Sequence, residues 1–412
     1  MNNNYIVGID MGSSSIYGII GKADKQGKLK ILANTEVKCD GIKKGIVVNI
    51  DSVTEALKSC LEDMERVINL YIDEVFIGIP SSICRLVSNK GMIAISGEED
   101  TIGEADIKRV LDSAKVVSIG KDEKVIDIIP ERFIIDESYE IDNPLNMKGS
   151  RLEVDAKVVV ANEIYLDSIY KCFDNLKVGV KGTTLKIHAA SSFILTKEDR
   201  KETITIVDVG ADNTDIGIYK NGTLVHMNSF NIGGNNITGD IMYFTKSSFK
   251  ESEELKFKYA DLGRNVEDIE IRKDGEEYVL QGDILCDIID ARIEEILNFI
   301  LNELKNSIYM DDITTVIIYG GGIAHYKSLM NIGKKVISKP IYAFNKHTTD
   351  LENTLTINSL GIVKHVFNEL KLDYNKIIDD NRVENNESEI NKKEKKPEGF
   401  IGKIKSFLGE YF

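Results

Sequence analysis

The chain has 412 residues, 42% of them hydrophobic, and at roughly 150 residues per domain this length predicts two or three packed domains. Its 52 basic and 67 acidic residues give a net charge of -15, which would repel a phosphate backbone and argues against nucleic acid as a partner. The five cysteines are scattered without a CxxC pair, so we expect reduced, intracellular thiols. The sequence shows neither a signal peptide pattern nor an apolar run of about 18 residues, and we expect a protein that is neither secreted nor transmembrane.

Strands rich in Val and Ile alternate with helical stretches along the chain, which predicts an α/β architecture. The predicted strands are 6–9, 75–79, 154–160, 204–209 and 316–319. Amphipathic helices are predicted over 51–70 and 283–308, because apolar residues recur there at three- and four-residue spacing. Each of these helices starts at an Asp, Asp51 or Asp283, which is a favourable N-cap residue.

The segment IVGIDMGSSSIYGIIG predicts a strand, a tight turn and a return strand. Small residues in the turn let the backbone N–H groups and hydroxyls of Gly12, Ser13, Ser14 and Ser15 reach phosphate oxygens. Asp10, at the end of the first strand, is placed to face Mg2+ through a water molecule, because this ion keeps most of its waters. The alternative is an ordinary hairpin with a polar turn.

A second copy of this pattern, ITIVDVGADNTDIGIYKNG, makes the phosphate-binding interpretation stronger. Its strand ends at Asp208 and its turn contains Gly210, Asp212, Asn213 and Thr214. Two such hairpins far apart in the chain predict two related lobes that clamp the phosphates of ATP with Mg2+ between them.

Two glycine clusters predict close approach of backbone to the rest of the nucleotide. Gly320, Gly321 and Gly322 follow a buried strand and are expected to open a helix, with adenosine lying against bare backbone. Gly233 and Gly234 are expected to form a further tight turn at the start of a helix.

These elements in this order resemble the actin, Hsp70 and sugar-kinase ATPase superfamily, and within it the FtsA family of bacterial cell division proteins. The most specific segment is VIDIIPERFIIDESYEIDNPLNMKGSRLEVDAKVVVAN, which is similar to an inserted subdomain of that family. Its landmarks are Pro130, Phe133, Asp136, Asn143, Pro144, Met147, Gly149, Arg151, Leu152 and Glu153. The segments 41–57 and 288–297 are also similar to the family.

The resemblance implies an actin-like two-lobed ATPase fold with an inserted α+β subdomain of the FtsA type, called 1C, and a C-terminal amphipathic helix. Lobe I would consist of a core, 1A, and the inserted subdomain 1C. Lobe II would consist of a core, 2A, and a subdomain on the adenosine side, 2B. The implied ranges are 1–80, 161–199 and 361–372 for 1A, 81–160 for 1C, 200–234 and 306–360 for 2A, and 235–305 for 2B.

The resemblance also implies that Gly234, Glu253, Lys256, Gly321 and Gly322 line the ribose and adenine, beside the two phosphate loops. Two departures from the superfamily bear on activity. Asp212 adds a carboxylate where the family's second loop has glycine, so we expect lower phosphate affinity or stronger dependence on Mg2+. Where the superfamily has a water-orienting Gln or Glu, the polar candidate is His188, and we expect at most slow ATP hydrolysis. The alternative for His188 is a histidine at a helix start whose hydrogen bonds are satisfied within the protein.

The end of the chain changes composition abruptly, which predicts a disordered linker over 373–398 and an amphipathic helix over 399–412. This helix is too short to span a bilayer but could lie in its interface, with Lys403 and Lys405 flanking the apolar stripe and anionic lipid as its partner. The apolar stripe consists of Phe400, Ile401, Ile404, Phe407, Leu408, Tyr411 and Phe412. The alternative is a terminal helix that docks on its own core.

The resemblance implies an ATP-binding protein that forms actin-like protofilaments on the cytoplasmic face of the cell membrane at the division site. It would anchor the division tubulin FtsZ there and recruit later division proteins. Arg292 would contact the C-terminal peptide of FtsZ, with a surface salt bridge as the alternative. Other possibilities are a phosphotransferase or chaperone of the same superfamily and a PilM-type assembly scaffold, which would lack the amphipathic tail.

Overall fold

The computed structural model describes residues 5–24, 26–95, 100–262, 268–273, 276–344 and 357–369. The predicted linker over 373–398 and the predicted amphipathic helix over 399–412 lie outside these residues. No helix within the described ranges is long and apolar enough to cross a membrane.

The described chain alternates strands and helices. The strands are β1 (Tyr5–Met11), β2 (Ser15–Ala23), β3 (Leu29–Lys38), β4 (Ile42–Lys43), β5 (Ile46–Val47), β6 (Glu74–Ile79), β7 (Cys84–Ala94), β8 (Glu123–Ile135), β9 (Tyr139–Ile141), β10 (Arg151–Asn162), β11 (Gly179–Leu185), β12 (Thr203–Val209), β13 (Thr214–Lys220), β14 (Thr223–Phe230), β15 (Ile269–Lys273), β16 (Glu276–Leu280), β17 (Thr315–Tyr319) and β18 (Ile341–Ala343). The helices are α1 (Ile50–Ile68), α2 (Glu104–Ala114), α3 (Glu163–Leu176), α4 (Lys186–Ile194), α5 (Gly234–Thr245), α6 (Phe249–Leu262), α7 (Gly282–Asn306), α8 (Leu329–Val336) and α9 (357–369).

Lobe I is built on a five-stranded sheet in the order β11-β6-β1-β2-β3. The strands β1, β2 and β3 form an antiparallel meander, and β6 and β11 extend the sheet in parallel. Helices α1 and α3 cover one face of this sheet and α9 covers the other. Because both faces are buried, the central strands are continuous apolar runs rather than alternating ones.

Lobe II repeats the same arrangement in the order β14-β13-β12-β17-β18. Again a three-stranded meander is extended by two parallel strands. Helix α4 lies against one face of the sheet, and α5, α7 and α8 lie against the other. The two related lobes predicted from the paired hairpins are therefore confirmed.

An inserted subdomain follows β6 and consists of an antiparallel sheet in the order β7-β10-β8-β9, with α2 packed on it. Its sequence landmarks shape the loop between β9 and β10. The Asp136 carboxylate accepts the backbone N–H groups of Ser150 and Arg151 at 3.0 and 2.9 Å. A Cβ atom at Gly149 would lie 2.3 Å from the side chain of Ile135, so only glycine fits there.

The five predicted strands and the two predicted helices are confirmed, but the predicted N-caps are wrong. The cap of α1 is Asn49, whose side chain accepts the Ser52 N–H at 3.0 Å. Helix α7 begins after Gln281, which makes no side-chain capping bond. Asp51 and Asp283 lie instead in the first turn of each helix, where a carboxylate also interacts favourably with the helix dipole.

Replacing Asn49 with Ala is expected to lower the free energy of unfolding by about 1 kcal/mol, because the Ser52 N–H loses its capping partner. Urea denaturation followed by circular dichroism measures this change. Asp51→Ala serves as the matched control and should cost less, since Asp51 contributes only through the helix dipole. A larger loss in Asp51→Ala than in Asn49→Ala would contradict the assigned cap.

Candidate functional site

The two Asp-x-Gly turns face each other across a cleft between the lobes. In lobe I the Gly12 N–H donates to the Ser15 carbonyl at 3.0 Å, and in lobe II the Gly210 N–H donates to the Asn213 carbonyl at 2.8 Å. The same hydrogen bond thus closes both turns, one residue after the end of β1 and of β12. Each turn holds a carboxylate, Asp10 or Asp208, at the edge of the cleft.

One cavity in this cleft brings together most of the predicted nucleotide-binding residues. Those that line it are Asp10, Gly12, Ser13, Ser14, Asp208, Gly210, Asp212, Asn213, Gly234, Glu253, Lys256, Gly320, Gly321 and Gly322. The sequence analysis did not identify several other lining residues, among them Lys186, Asp215 and Asn358. The cavity is therefore formed by both turns, by α5 and α6, and by the turn after β17.

Two of the predicted hydroxyls point into the protein instead of into the cleft. Ser15 Oγ donates to Glu36 Oε1 at 2.9 Å, and Thr214 Oγ1 donates to the Ile232 carbonyl at 2.8 Å. Both residues are fully buried. Gly233 is the N-cap residue of α5 and does not line the cavity either. These residues hold the two hairpins and α5 in position.

The floor of the cleft concentrates negative charge. Asp208 is partly exposed to the cleft and accepts a hydrogen bond from Asn358 Nδ2 at 2.8 Å, while Asp215 is buried and accepts one from Ser229 Oγ at 2.6 Å. Burial raises the pKa of Asp208 to about 7, with the carboxylates of Asp215 and Asp10 adding to the shift. Burial also raises the pKa of Asp215. The positive group on this floor is Lys186, whose Nζ lies 2.5 Å from Asp10 Oδ1.

This charge pattern fits Mg2+. Asp208 is a carboxyl group that ionises reluctantly because its neighbours are also acidic, and a divalent cation would favour its ionised form. Within the described residues, no cluster of three or more His, Cys, Asp or Glu side chains could hold a metal directly. Asp10 and Asp208 therefore suit an ion that keeps most of its waters, as Mg2+ does.

The opposite end of the cavity contains a buried lysine on α6. Lys256 Nζ donates to the Gly234 carbonyl at 3.3 Å and to Thr238 Oγ1 at 3.0 Å, and it pairs with Glu253. Burial lowers the pKa of Lys256. These contacts tie α6 to the start of α5 and leave polar groups beside the bare backbone of Gly234.

The three glycines after β17 pack against the second Asp-x-Gly turn. Gly320 has φ of +96°, and a Cβ atom there would lie 2.4 Å from Asp208 Oδ1. A Cβ atom at Gly322 would lie 2.6 Å from the Gly210 carbonyl oxygen. Glycine is needed at these positions because this turn packs closely against the second Asp-x-Gly turn of the same chain, as well as for access to the cleft. The prediction that these glycines open directly into a helix is wrong, because turns intervene and α8 begins at Leu329.

The extra carboxylate in the second turn has partners of its own. Asp212 Oδ2 accepts the backbone N–H of Lys44 in lobe I at 3.1 Å, and Oδ1 accepts Asn235 Nδ2 at 2.7 Å. Asp212 thus bridges the two lobes at the cleft. These hydrogen bonds partly neutralise the Asp212 carboxylate, so we expect it to repel phosphates less than a free carboxylate would.

His188 lies outside the cleft. It is partly buried at the start of α4, where desolvation lowers its pKa to about 3, and its ring centroid is 5.2 Å from that of His365 in an edge-on arrangement. Its Nδ1 atom is buried without a hydrogen-bond partner. This position outside the cleft fits the alternative of a histidine at a helix start, but the unpartnered Nδ1 atom departs from the satisfied hydrogen bonding that this alternative expects.

A second cavity, of about 470 Å³, lies between β7 of the inserted subdomain and β14 of lobe II. Its lining includes Arg85, Lys157 and His226 but neither Asp-x-Gly turn. Each of these side chains already has a carboxylate partner: Glu123, Glu131 and Glu303, respectively. This cavity is therefore separate from the cleft that holds the paired carboxylates.

Solved structures with the same fold support the two-lobed architecture. The PilM-PilN type IV pilus biogenesis complex matches with a TM-score of 0.60 at 11% identity, over 87% of this chain and 97% of the matched chain. MreB 5 of Spiroplasma citri bound to AMPPNP matches with a TM-score of 0.57 at 12% identity, over 91% and 99%. At these identities the likeness shows the fold alone.

Family models and curated relatives match the sequence more specifically. Residues 82–160 match the SHS2 domain inserted in FTSA, and residues 205–283 match Cell division protein FtsA. The chain is 26% identical over 384 residues to Cell division protein FtsA of Bacillus subtilis, covering 92% of this chain and 87% of that protein. It is 27% identical over 371 residues to Cell division protein FtsA of Pseudomonas aeruginosa, covering 87% and 88%.

The fold and the cleft together define an actin-like protein with two lobes and a subdomain inserted in the first. Within this class, the matches confirm the resemblance to the FtsA family of bacterial cell division proteins that was predicted from the sequence.

The raised pKa of Asp208 predicts that the ligand-free protein loses stability as the pH rises toward about 7. Between pH 3.8 and about 7 the folded state binds a proton that the unfolded state has released, so the free energy of unfolding falls by up to about 1.4 kcal/mol per pH unit. Urea denaturation should show a lower midpoint at pH 8 than at pH 6.

Asp208→Asn tests whether this pH dependence comes from Asp208, since the amide cannot ionise but keeps an acceptor for Asn358. The difference between the two midpoints should largely disappear in this variant. A difference as large as that of the wild type would assign the effect to other groups.

Proposed function

We propose that the protein binds ATP with Mg2+ in the interlobe cleft and acts as an actin-like division protein that polymerises on the cytoplasmic membrane. There it anchors FtsZ at the septum and recruits later division proteins. The observation that carries this proposal is the pair of Asp-x-Gly turns, closed by the same hydrogen bond, that line one cavity from opposite lobes.

Each end of the cavity suits a different part of the nucleotide. The two turns present Ser13, Ser14 and backbone to the phosphates, and Asp10 and Asp208 would hold Mg2+ through its waters. Mg2+ would supply charge neutralisation for the phosphates. Glu253, Lys256 and the bare backbone of Gly234 suit ribose and adenine.

The cleft is better suited to holding ATP than to hydrolysing it. A catalytic base needs a free acceptor within reach of the attacking water. Asp10 and Asp208 would be engaged by the waters of Mg2+, Asp212 and Asp215 accept hydrogen bonds from the protein, and His188 is neutral and outside the cavity. Bound ATP would therefore fix the angle between the lobes and so control assembly, with slow hydrolysis at most.

Asp208→Ala is expected to weaken binding of ATP in the presence of Mg2+ by about three- to tenfold, because the second turn loses its contact with the hydrated ion. Isothermal titration calorimetry measures the affinity. Asp312→Ala, which removes an exposed carboxylate paired with Lys220, is the control and should bind as the wild type does. Unchanged affinity in Asp208→Ala would make the second hairpin purely structural.

The proposed contact with FtsZ lies on α5 and α7, away from the cleft. Arg292 makes two hydrogen bonds to Asp240 of α5, at 2.6 and 2.8 Å, and is partly exposed. Tyr243 and Phe244, near the end of α5, are more than half exposed. Lys246 Nζ lies 4.3 Å from the centroid of the Tyr243 ring. A cation beside exposed aromatic side chains suits a short peptide with both acidic and apolar residues, which supports this surface as the site for the C-terminal peptide of FtsZ.

Membrane attachment is proposed for the tail over 399–412, whose apolar residues share one stripe at helical spacing. The full chain should sediment with vesicles that contain anionic lipid, whereas a chain that ends at Pro397 should remain in the supernatant. Phe407→Asp places a charge in the stripe and should reduce sedimentation strongly. Ser406→Asp adds the same charge outside the stripe and should reduce it less. Equal sedimentation of the full and shortened chains would exclude the tail as the anchor.

A further inference from the structure

Lys186 is a buried ammonium group on the floor of the cleft that the sequence analysis did not identify. Its side chain is 8% exposed, its Nζ lies 2.5 Å from Asp10 Oδ1, and it donates to the Met11 carbonyl oxygen at 2.6 Å. An ammonium group has three N–H donors. These two contacts leave one donor for a ligand in the cavity that Lys186 lines.

The position of Lys186 is unfavourable for stability. It is the first residue of α4, where the positive end of the helix dipole disfavours a cation. It is also buried, which adds the cost of removing an ammonium group from water. A residue that is costly in two independent ways and lines a ligand cavity is better explained by a role in binding than by one in folding.

The strand next to β11 makes room for the lysine stem. A Cβ atom at Gly78 of β6 would lie 2.8 Å from Lys186 Cγ, so a larger residue at this position would displace the side chain. Gly78 therefore lets the stem run across β6 and carry the ammonium group to the end of β1, beside Asp10.

The other lysines that line the cavity already form ion pairs with glutamates. Lys38 is 81% exposed and pairs with Glu36 at 2.9 Å. Lys256 pairs with Glu253 at the α5 and α6 end. Among the described residues that line the cavity, Lys186 is thus the buried cation on the side of the paired turns.

We propose that Lys186 binds phosphate oxygens of a nucleoside diphosphate or triphosphate and supplies a fixed positive charge that lowers the dependence of nucleotide binding on Mg2+. This inference rests on the proposed binding of ATP in the cleft. The lysine offsets part of the negative charge of Asp10, Asp208 and Asp215 even when no metal is present. It acts against the stronger dependence on Mg2+ that Asp212 alone would suggest.

Calorimetric titration with ATP, in Mg2+ and separately in EDTA, tests the role of Lys186. In the wild type, replacing Mg2+ with EDTA should weaken binding by about tenfold or less. In Lys186→Met the same replacement should weaken it by a further ~10- to 100-fold, the value of a hydrogen bond to a charged group. Lys186→Arg, which keeps the charge, should recover much of the loss. Lys181→Met, which removes an exposed cation paired with Glu74 outside the cavity, should behave as the wild type does.

Adenosine, which lacks phosphate, separates a binding role from a structural one. Lys186→Met should bind adenosine as the wild type does; weaker binding of adenosine in proportion to ATP would overturn the inference. Equal dependence on Mg2+ in the wild type and in Lys186→Met would also overturn it, while leaving the proposed function intact. A wild type that binds no ATP in Mg2+ would instead reject the proposed function, and the role of Lys186 with it.

Discussion

The structure depends on three carboxylates, Asp10, Asp208 and Asp215, that share one ammonium group between two lobes, with Asp10 and Asp215 buried and Asp208 partly so. Like charges in a medium of low polarity repel strongly, so this arrangement persists only because the surrounding fold holds it. The five-stranded sheets fix the turns, Asn358 and Ser229 donate to two of the carboxylates, and Lys186 neutralises the third. The excess of negative charge in the cleft therefore favours the binding of a hydrated cation.

The repeated sheet order explains how one chain builds such a cleft. In each lobe the return strand after the Asp-x-Gly turn pairs in register with the strand before it, so that Asp10 lies opposite Tyr17 and Asp208 opposite Asp215. The duplicated hairpin sets the same turn at the same edge of each sheet. The difference between Tyr17 and Asp215 makes lobe II the more acidic side of the floor.

The sequence predicted the sheets and the paired turns well because both depend on local signals, namely apolar runs and small residues after an Asp. It could not predict that Ser15 and Thr214 turn inward, since the hydrogen bonds that hold them there go to Glu36 and Ile232, which lie far away along the chain. It also missed Lys186, although a lysine between Leu185 and Ile187 in an apolar segment was a visible anomaly. Asn358 carried no local signal, because only the return of α9 to the cleft gives it a role.

Helix α9 connects the cleft to the lobe I sheet. Asn358, near its start, donates to Asp208 and accepts from Tyr319 Oη at 2.8 Å, while Val363 and Phe367 pack against the lobe I sheet. A helix over 357–369 is about 20 Å long and behaves as a stiff rod. The side chain that contacts Asp208 and the residues that pack on the lobe I sheet thus belong to one stiff helix, so a small displacement at Asp208 would be transmitted to lobe I.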